Sequence, residues 1–339
     1  MNTQLLPAGE ESIRLAGRLL RQGQVVGFPT ETVYGLAASS FDGAAVRKIF
    51  QAKGRPQDNP LISHIAGWEM LDGLWAEVTP QARRLAQAFW PGPLSIILPR
   101  GGRIADEVCA GLPTASVRWP SDPVAQAVIR AAGVPLAAPS ANRSGSPSPT
   151  TAQDVLDDMD GRVPLIIDGG PCTVGVESTV ISLAGEVPVL LRPGYITKEQ
   201  AEAVLGCEVV LSDAVLHKLK EGERAASPGM KYKHYAPKAR VVIIKGNFAA
   251  YRSYVAAHSG PGVFGLCFAG EEAYLPVPCV VYGAEGDEPS QARALFSALR
   301  RLDERGAQVA YARCPHESGV ALAVYNRLLR AAGFQVVTV

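Results

Sequence analysis

Lys53, Gly54 and Arg55 stand together in AKGRPQDNPLISHI, residues 52–65. Two cations astride a glycine could grip a polyphosphate, because a lysine ammonium supplies a point charge and an arginine guanidinium a planar fork. Gly54 lets the backbone bend, and Pro56 restrains Arg55 to an extended geometry. Such a pair could also stabilise charge on a departing pyrophosphate. The phosphate-loop signature G-x-x-x-x-G-K-[ST] is missing, so the grip would rest on side chains alone. On spacing by itself, a solvated turn is the favoured account of this stretch.

Two further stretches offer hydrogen bonds without negative charge. PTETVYGLAA, residues 29–38, places two threonines and a tyrosine directly after a buried strand, where α/β proteins often put ligand contacts. The competing account is a turn whose threonines satisfy local backbone groups. APSANRSGSPSPT, residues 138–150, crowds Ser140, Asn142, Ser144, Ser146 and Ser148 into a short loop of hydroxyls and one amide. Its competitor is a flexible Ser/Pro linker, which fits poorly between a strand and a helix of one domain. Arg118 in ASVRWP and Arg192 in LLRPG are lone cations beside apolar residues, and such cations want anionic partners. His64, inside an apolar strand, reads as a hydrogen-bonded core histidine, and Glu177, Ser178 and Thr179 open a hairpin. No Ser-His-Asp ordering or paired-carboxylate spacing stands out.

Periodicity supplies the elements that must position these groups. Helices are expected over 10–22, 42–52, 80–89, 122–132, 154–159 and 198–205, with Asp42 and Thr79 as N-caps. Strands are expected at VVGF, LISHI, PLSIIL, PLAA and PLIID, then a hairpin in TVISLAGEVPVLLR and a closing CEVVL. Crossovers mixed with a hairpin predict a twisted, mixed sheet with flanking helices over residues 1–207. A linker follows over 208–238, and the strand–helix alternation resumes over 239–339 as a smaller, Rossmann-like, mostly parallel domain. That second half carries no G-x-G-x-x-G, so a dinucleotide role has no motif behind it.

Composition narrows the classes. The 339 residues are 47% hydrophobic with a net charge of +1, which suits two packed domains and argues against wholesale binding to nucleic acid. The one basic stretch is KYKHYAPKAR in the linker. Cys109, Cys172, Cys207, Cys267, Cys279 and Cys314 form no C-x-x-C pair and the histidines no H-E-x-x-H, so structural zinc is not expected. No apolar run is long enough to span a membrane, and MNTQLLPAGEES does not read as a signal peptide, so a cytoplasmic location is expected.

Taken in order, PTETVYGLAA, AKGRPQDNPL, WPGPLSIIL, SVRWP, PSANRSGSPSPT, ESTV and LLRPG resemble the YrdC/Sua5 family, and SPGMKYKHYAP with a trailing α/β domain resembles its longer Sua5 form. The resemblance covers essentially the whole chain and is looser beyond Arg240. It implies a YrdC-like catalytic domain, a Sua5 C-terminal domain, and an L-threonylcarbamoyladenylate synthase that joins L-threonine, bicarbonate or CO2, and ATP with magnesium, releasing pyrophosphate. The product would feed N6-threonylcarbamoyladenosine formation at position 37 of tRNAs that read codons starting with A, through separate transferase proteins, with room for weak tRNA contact. The family's K-x-R and S-x-N signature falls on Lys53, Arg55, Ser140 and Asn142. Threonine contacts would fall on Thr32, His64, Arg118, Ala138 and Ser178. ATP contacts would fall on Arg55, Asn59, Thr114, Ser140, Ser148, Arg192, Lys231 and Tyr235. No metal-ligand set is expected, magnesium being held mainly by ATP phosphates. Residues 231–235 could fold over the nucleotide as a lid that keeps water from a labile carbamate; an exposed basic tether is the alternative. An RNA-binding factor and a hydrogenase-maturation carbamoyl transferase are the rival readings; the latter's zinc-binding cysteine pairs are missing here.

Overall fold

The computed structural model describes residues 2–218 and 235–339. The first part runs β1 (Gln4–Pro7), α1 (Glu10–Arg21), β2 (Val26–Phe28), β3 (Gly35–Ser39), α2 (Gly43–Lys53), β4 (Ile62–His64), α3 (Pro80–Phe89), β5 (Leu94–Pro99), α4 (Asp106–Cys109) and β6 (Thr114–Arg118). It continues through α5 (Pro123–Ala132), β7 (Leu136–Ala137), α6 (Ala152–Met159), β8 (Leu165–Asp168), β9 (Thr179–Ser182), β10 (Val189–Arg192), α7 (Lys198–Leu205) and β11 (Val210–Leu211). The second part comprises β12 (Arg240–Lys245), α8 (Phe248–Ala257), β13 (Val263–Cys267), β14 (Cys279–Val281), α9 (Glu288–Glu304), β15 (Val309–Arg313), α10 (Ala321–Ala331) and β16 (Val336–Thr338).

The first eleven strands form one mixed sheet in the order β1-β8-β2-β3-β7-β4-β6-β5-β9-β10-β11. The remaining five form a wholly parallel sheet in the order β14-β13-β15-β12-β16. Capping follows the residue types: Asp42 accepts from Ala44 and Ala45 N–H at 2.9 and 3.1 Å and starts α2, and Gly54, at φ 61°, ends it in the left-handed conformation. Hydrophobic cores lie on both faces of each sheet, with Val46, Ile49 and Phe50 of α2 facing one side of the first.

Three features go beyond the expected pattern. β1, unread in the sequence, adds itself in parallel to β8 at the sheet edge. The stretch 29–38 divides into a buried loop and β3, which returns antiparallel to β2. β11 lies beyond residue 207 yet extends the first sheet, pairing in parallel with β10. Five residues later, Leu216 already packs against the second domain's core.

The two parts share a packed boundary. Val33 and Val176 of the first belong to the same hydrophobic cluster as Phe296, Leu299 and Leu328 of the second. Arg300 of α9 donates to Asp158 Oδ2 at 2.6 Å and to the Pro147 carbonyl at 2.7 Å. A Cβ on Gly175 would lie 2.4 Å from the Arg293 backbone, so only glycine permits this approach of α9. Helix α10 is buried almost all round, as a helix between two layers must be.

Candidate active site

One cavity gathers the ends of strands from the middle of the first sheet. It is walled by Thr30, Thr32, Lys53, Arg55, His64, Arg118, Ala138, Ser140, Asn142, Ser178 and Arg192, together with Glu177 and Tyr235. The topology explains the convergence. β4 and β6 run parallel with His64 opposite Arg118, and a bridge between Gly35 and Ser140 ties β3 to the loop leaving β7. Residues far apart in sequence thus share one rim because their strands end side by side.

Lys53 is the last residue of α2 and is 4% exposed. Its Nζ donates to the carbonyls of Ser140 and Asn142, the latter at 2.6 Å, and approaches Asn142 Oδ1 at 3.4 Å. Ser140 Oγ donates to Asn142 Oδ1 at 2.5 Å, and the Asn142 amide donates to Arg143 and Ser146 carbonyls at 2.7 and 2.8 Å. The serine-rich loop is therefore laced in place, unlike a flexible linker. Burial pushes the Lys53 ammonium well below its ordinary pKa, and Arg55 beside it adds to the push. A cation held this uncomfortably gains from any anion entering the cavity.

Arg118 ends β6 and is closed to solvent. Its Nη1 donates to Thr32 Oγ1 at 2.8 Å and its Nε to the Gly92 carbonyl at 3.3 Å. Its Nη2 lies 2.6 Å from Glu31 Oε1 in a buried ion pair. The pair is close but poorly aligned, so neither Glu31 oxygen nor Arg118 Nη2 completes a hydrogen bond. His64 alongside is neutral: burial, then Arg118, brings its pKa down to about 3, and Nδ1 donates to the Ile62 carbonyl at 3.1 Å.

On the opposite wall, Arg192 donates from Nε to the Ser178 carbonyl and from Nη2 to Ser178 Oγ, both at 3.0 Å. Burial brings the Arg192 pKa to about 10, still charged at neutral pH. Ser178 Oγ also lies 2.8 Å from Ser95 Oγ. Tyr235, in a left-handed conformation at φ 64°, closes the cavity from the second domain's side, its ring centred 5.2 Å from that of Phe296 and tilted 36° to it.

The Sua5/YciO/YrdC family profile, described as telomere recombination, matches residues 18–194. The profile described as the C-terminal domain of threonylcarbamoyl-AMP synthase matches residues 196–333. The chain belongs to the Sua5 family. Threonylcarbamoyl-AMP synthase of Bacillus subtilis (strain 168) is 44% identical over 342 residues, covering 99% of this chain and 97% of that protein. The protein of the same name from Pyrococcus abyssi is 43% identical over 341 residues, covering 97% and 96%. The crystal structure of P. abyssi Sua5 complexed with L-threonine superposes with a TM-score of 0.93 at 41% identity, covering all of both chains.

Of the expected Sua5 site residues, Thr32, Lys53, Arg55, His64, Arg118, Ala138, Ser140, Asn142, Ser178, Arg192 and Tyr235 line the one cavity. Ser148 stands behind its wall and donates to Glu177 Oε1 at 2.5 Å. Asn59 and Thr114 lie at the other end of the β4–β6 pair, roughly 13 Å along the strand from Arg118. The Arg55 Nη2 reaches the Asn59 carbonyl at 3.2 Å, which links that end to the cavity. Lys231 and its neighbours through 234, the rest of the expected lid, lie outside the described residues.

Two carboxylates are buried at the site: Glu31, which was not singled out, and Glu177, which was noted only as the start of a hairpin. A clue was present for each. Each sits within a quoted motif, PTET and ESTV, and a buried arginine needs a counter-ion.

Proposed function

We infer that this chain is an L-threonylcarbamoyladenylate synthase, a nucleotidyltransferase that makes threonylcarbamoyl-AMP and pyrophosphate from L-threonine, bicarbonate and ATP. One observation carries the placement of that chemistry. Lys53 and Arg55 from the end of α2 and the turn after it, Arg118 from β6 and Arg192 from β10 converge on a single cavity. Such a site suits a reaction that must hold a carboxylate, a carbamate and a triphosphate close together.

The threonine amine adds to the carbon of CO2 and loses a proton, or adds to bicarbonate with loss of water, to give a carbamate. A carbamate oxygen then attacks the α-phosphorus of ATP, the α–β bridging P–O bond breaks, and pyrophosphate leaves. Arg118 pairs with the threonine carboxylate, sharing its guanidinium with Glu31, while Thr32 and Ser178 supply neutral hydroxyls. His64, being neutral, can approach the substrate without competing for its anions. Lys53, Arg55 and Arg192 face the phosphates, where the ammonium of Lys53 recovers its ordinary charge beside an anion. Positioning and electrostatic stabilisation carry the rate.

Magnesium fits as an ion carried in by the nucleotide. Ser140, Asn142 and Ser144 present neutral oxygens at the rim, and no three His, Cys, Asp or Glu gather into a metal site among the described residues. When bound, it offsets charge on the phosphates. The product passes to separate transferase proteins that modify tRNA. Cytoplasmic work suits this role, and among the described residues no helix is long and apolar enough to cross a membrane.

The test is direct. With ATP, magnesium, labelled bicarbonate and L-threonine, the protein should yield an acyl-adenylate of the expected mass together with one pyrophosphate. Pyrophosphate release that ignores threonine or bicarbonate would overturn the assignment.

A further inference from the structure

We propose that Arg327, carried by α10 of the second domain, is a positioning residue for the first domain's cavity: it grips Glu177 and so sets the 177–178 turn against bound substrate. The proposal rests on the reading of that cavity as the site of synthesis. Its physical content is that the second domain completes a site whose other named side chains almost all belong to the first.

The geometry is specific. Arg327 is fully buried, at 0% exposure, and its Nε donates to Glu177 Oε2 at 2.8 Å. Its Nη2 reaches the Glu177 carbonyl at 3.3 Å, so side chain and main chain of residue 177 are held together. Nη1 donates to Asn326 Oδ1 at 2.8 Å, and the Asn326 amide donates to the Val215 carbonyl at 2.7 Å, which fixes the guanidinium from behind. The other Glu177 oxygen accepts from Ser148 of the serine-rich loop. The following residue, Ser178, is the one Arg192 clamps. A guanidinium from the second domain therefore fastens the join between two cavity walls, the loop 138–150 and the start of β9.

Charge makes this more than packing. Burial alone would push the Glu177 carboxyl up, but Arg327 and then Arg192 outweigh it and hold the group below its ordinary pKa. The groups that face Glu177 are Arg327 from α10, Arg192 from β10, Ser148 from the loop before α6, Lys53 from α2, and Tyr235. Glu177 in turn supports the charge on Lys53. Removing Arg327 deprives the buried carboxylate of its fork, raises its pKa, and leaves it protonated where the wild type is ionised. Ser148 then loses its charged acceptor, and Lys53 loses a supporting anion.

Pyrophosphate release dependent on threonine and bicarbonate is followed from pH 6 to 9 in the full chain, and each variant is read as a ratio to wild type at the same pH. The ratio cancels the ionisation of the substrates and of groups common to both. For Arg327→Met the ratio in kcat/KM for ATP should be reduced about tenfold or more at pH 6 and should recover as pH rises and Glu177 regains its charge. Arg327→Lys, which keeps charge but not the fork, should show a flat ratio with a loss of only several-fold. Glu177→Gln should show a flat, low ratio, and adding Arg327→Met to it should cost nothing further, because the two act as one unit.

A flat ratio near one for Arg327→Met overturns the proposal. So does a flat reduced ratio, which would mark Arg327 as merely structural. If Arg327→Met does not fold alone, the double variant carries the test, since it removes the unpaired buried charge. A further loss of tenfold or more over Glu177→Gln would show Arg327 acting elsewhere and would overturn the proposal. Lys53→Ala serves as the separate control on the cavity. Undiminished release in that variant would sink the site reading itself, whereas a dead Lys53→Ala beside an unaffected Arg327→Met would sink only the role of Arg327.

Discussion

Arg118 and Arg313 occupy like places in the two sheets. Each is the last residue of its strand, each is 3% exposed, and each faces a buried carboxylate, Glu31 for Arg118 and Glu271 for Arg313. Arg313 spends every donor it directs at protein. Nε meets Glu271 at 2.8 Å, Nη2 meets Glu285 at 2.9 Å, and Nη1 meets the Gly246 carbonyl at 2.9 Å. The rings of Phe248, Tyr251 and Phe268 lie 5.3 to 5.9 Å from its guanidinium carbon. Arg118 has one carboxylate partner, Glu31, in an ion pair that leaves Nη2 and both Glu31 oxygens without a hydrogen bond. A folded protein normally satisfies buried polar atoms, so spare capacity beside a cavity marks a place kept for a ligand. The saturated arginine holds a structure together, and the unsaturated one is the cation that the proposed function pairs with a substrate anion.

Substitutions sharpen that contrast, and the largest effect belongs to the cavity. Lys53→Ala should lower threonine-dependent pyrophosphate release by about 1,000-fold or more, since it removes both a phosphate cation and the tie to the loop at 140–142. Its circular dichroism should stay native; near-normal turnover would refute the role of Lys53.

Arg118→Met and Arg313→Met then separate the two kinds of buried arginine. Both leave carboxylates unpaired, and each should cost about 3–5 kcal/mol in urea unfolding. Only Arg118→Met should also abolish synthesis, with the threonine KM rising most in the milder Arg118→Lys. Equal kinetic loss from Arg313→Met, measured well below its unfolding midpoint, would dissolve the distinction.

A smaller effect concerns His64. Its pKa falls from 6.5 to about 3 on folding, chiefly through burial, so the unfolded chain binds a proton that the native one refuses between those values. Stability contributed by neutral His64 is therefore complete above pH 6.5 and drains away as pH falls toward 3. At pH 5 the loss is about 2 kcal/mol. His64→Phe should remove that part of the acid sensitivity between pH 7 and 5; identical pH dependence in both proteins would show that His64 titrates freely. The smallest effect belongs to the half-exposed pair of Lys245 and Glu317 at 2.5 Å. Lys245→Ala should move the melting temperature by no more than about 2 °C, and a larger shift would place that surface pair among the structural cations with Arg313.

The comparison also shows which parts were legible beforehand. Arg118 and Arg192 could be chosen from the sequence because their neighbours are apolar and a cation there wants an anion, and the serine loop because its hydroxyls sit between a strand and a helix; the K-x-R stretch reads as a solvated turn on spacing alone and was brought forward by the resemblance to the Sua5 family. Most helices followed from caps and periodicity, α2 with its Asp42 and Gly54 among them. β1 was missed because QLLP is too short for its alternation to show, and it becomes a strand only by pairing with β8. Glu31 was overlooked, and Glu177 noted only for its hairpin, because a carboxylate's value depends on the cation opposite, and Arg118 and Arg327 are distant in sequence. Arg327 carries no local signal, since a single arginine on a helix ordinarily faces solvent and becomes buried only where a second layer covers that face.

The sequence by itself determined the family, through ordered motifs of cations and hydroxyls, and, through local spacing, most of the helices and strands that carry them. Such choices depend on neighbours within a few positions, and a linear chain displays them. Only the tertiary structure decided which cations remain unsatisfied and which domain holds Glu177. Those are facts about burial and long-range pairing, settled when strand ends from β3 to β10 and one helix of the second domain arrive at the same place.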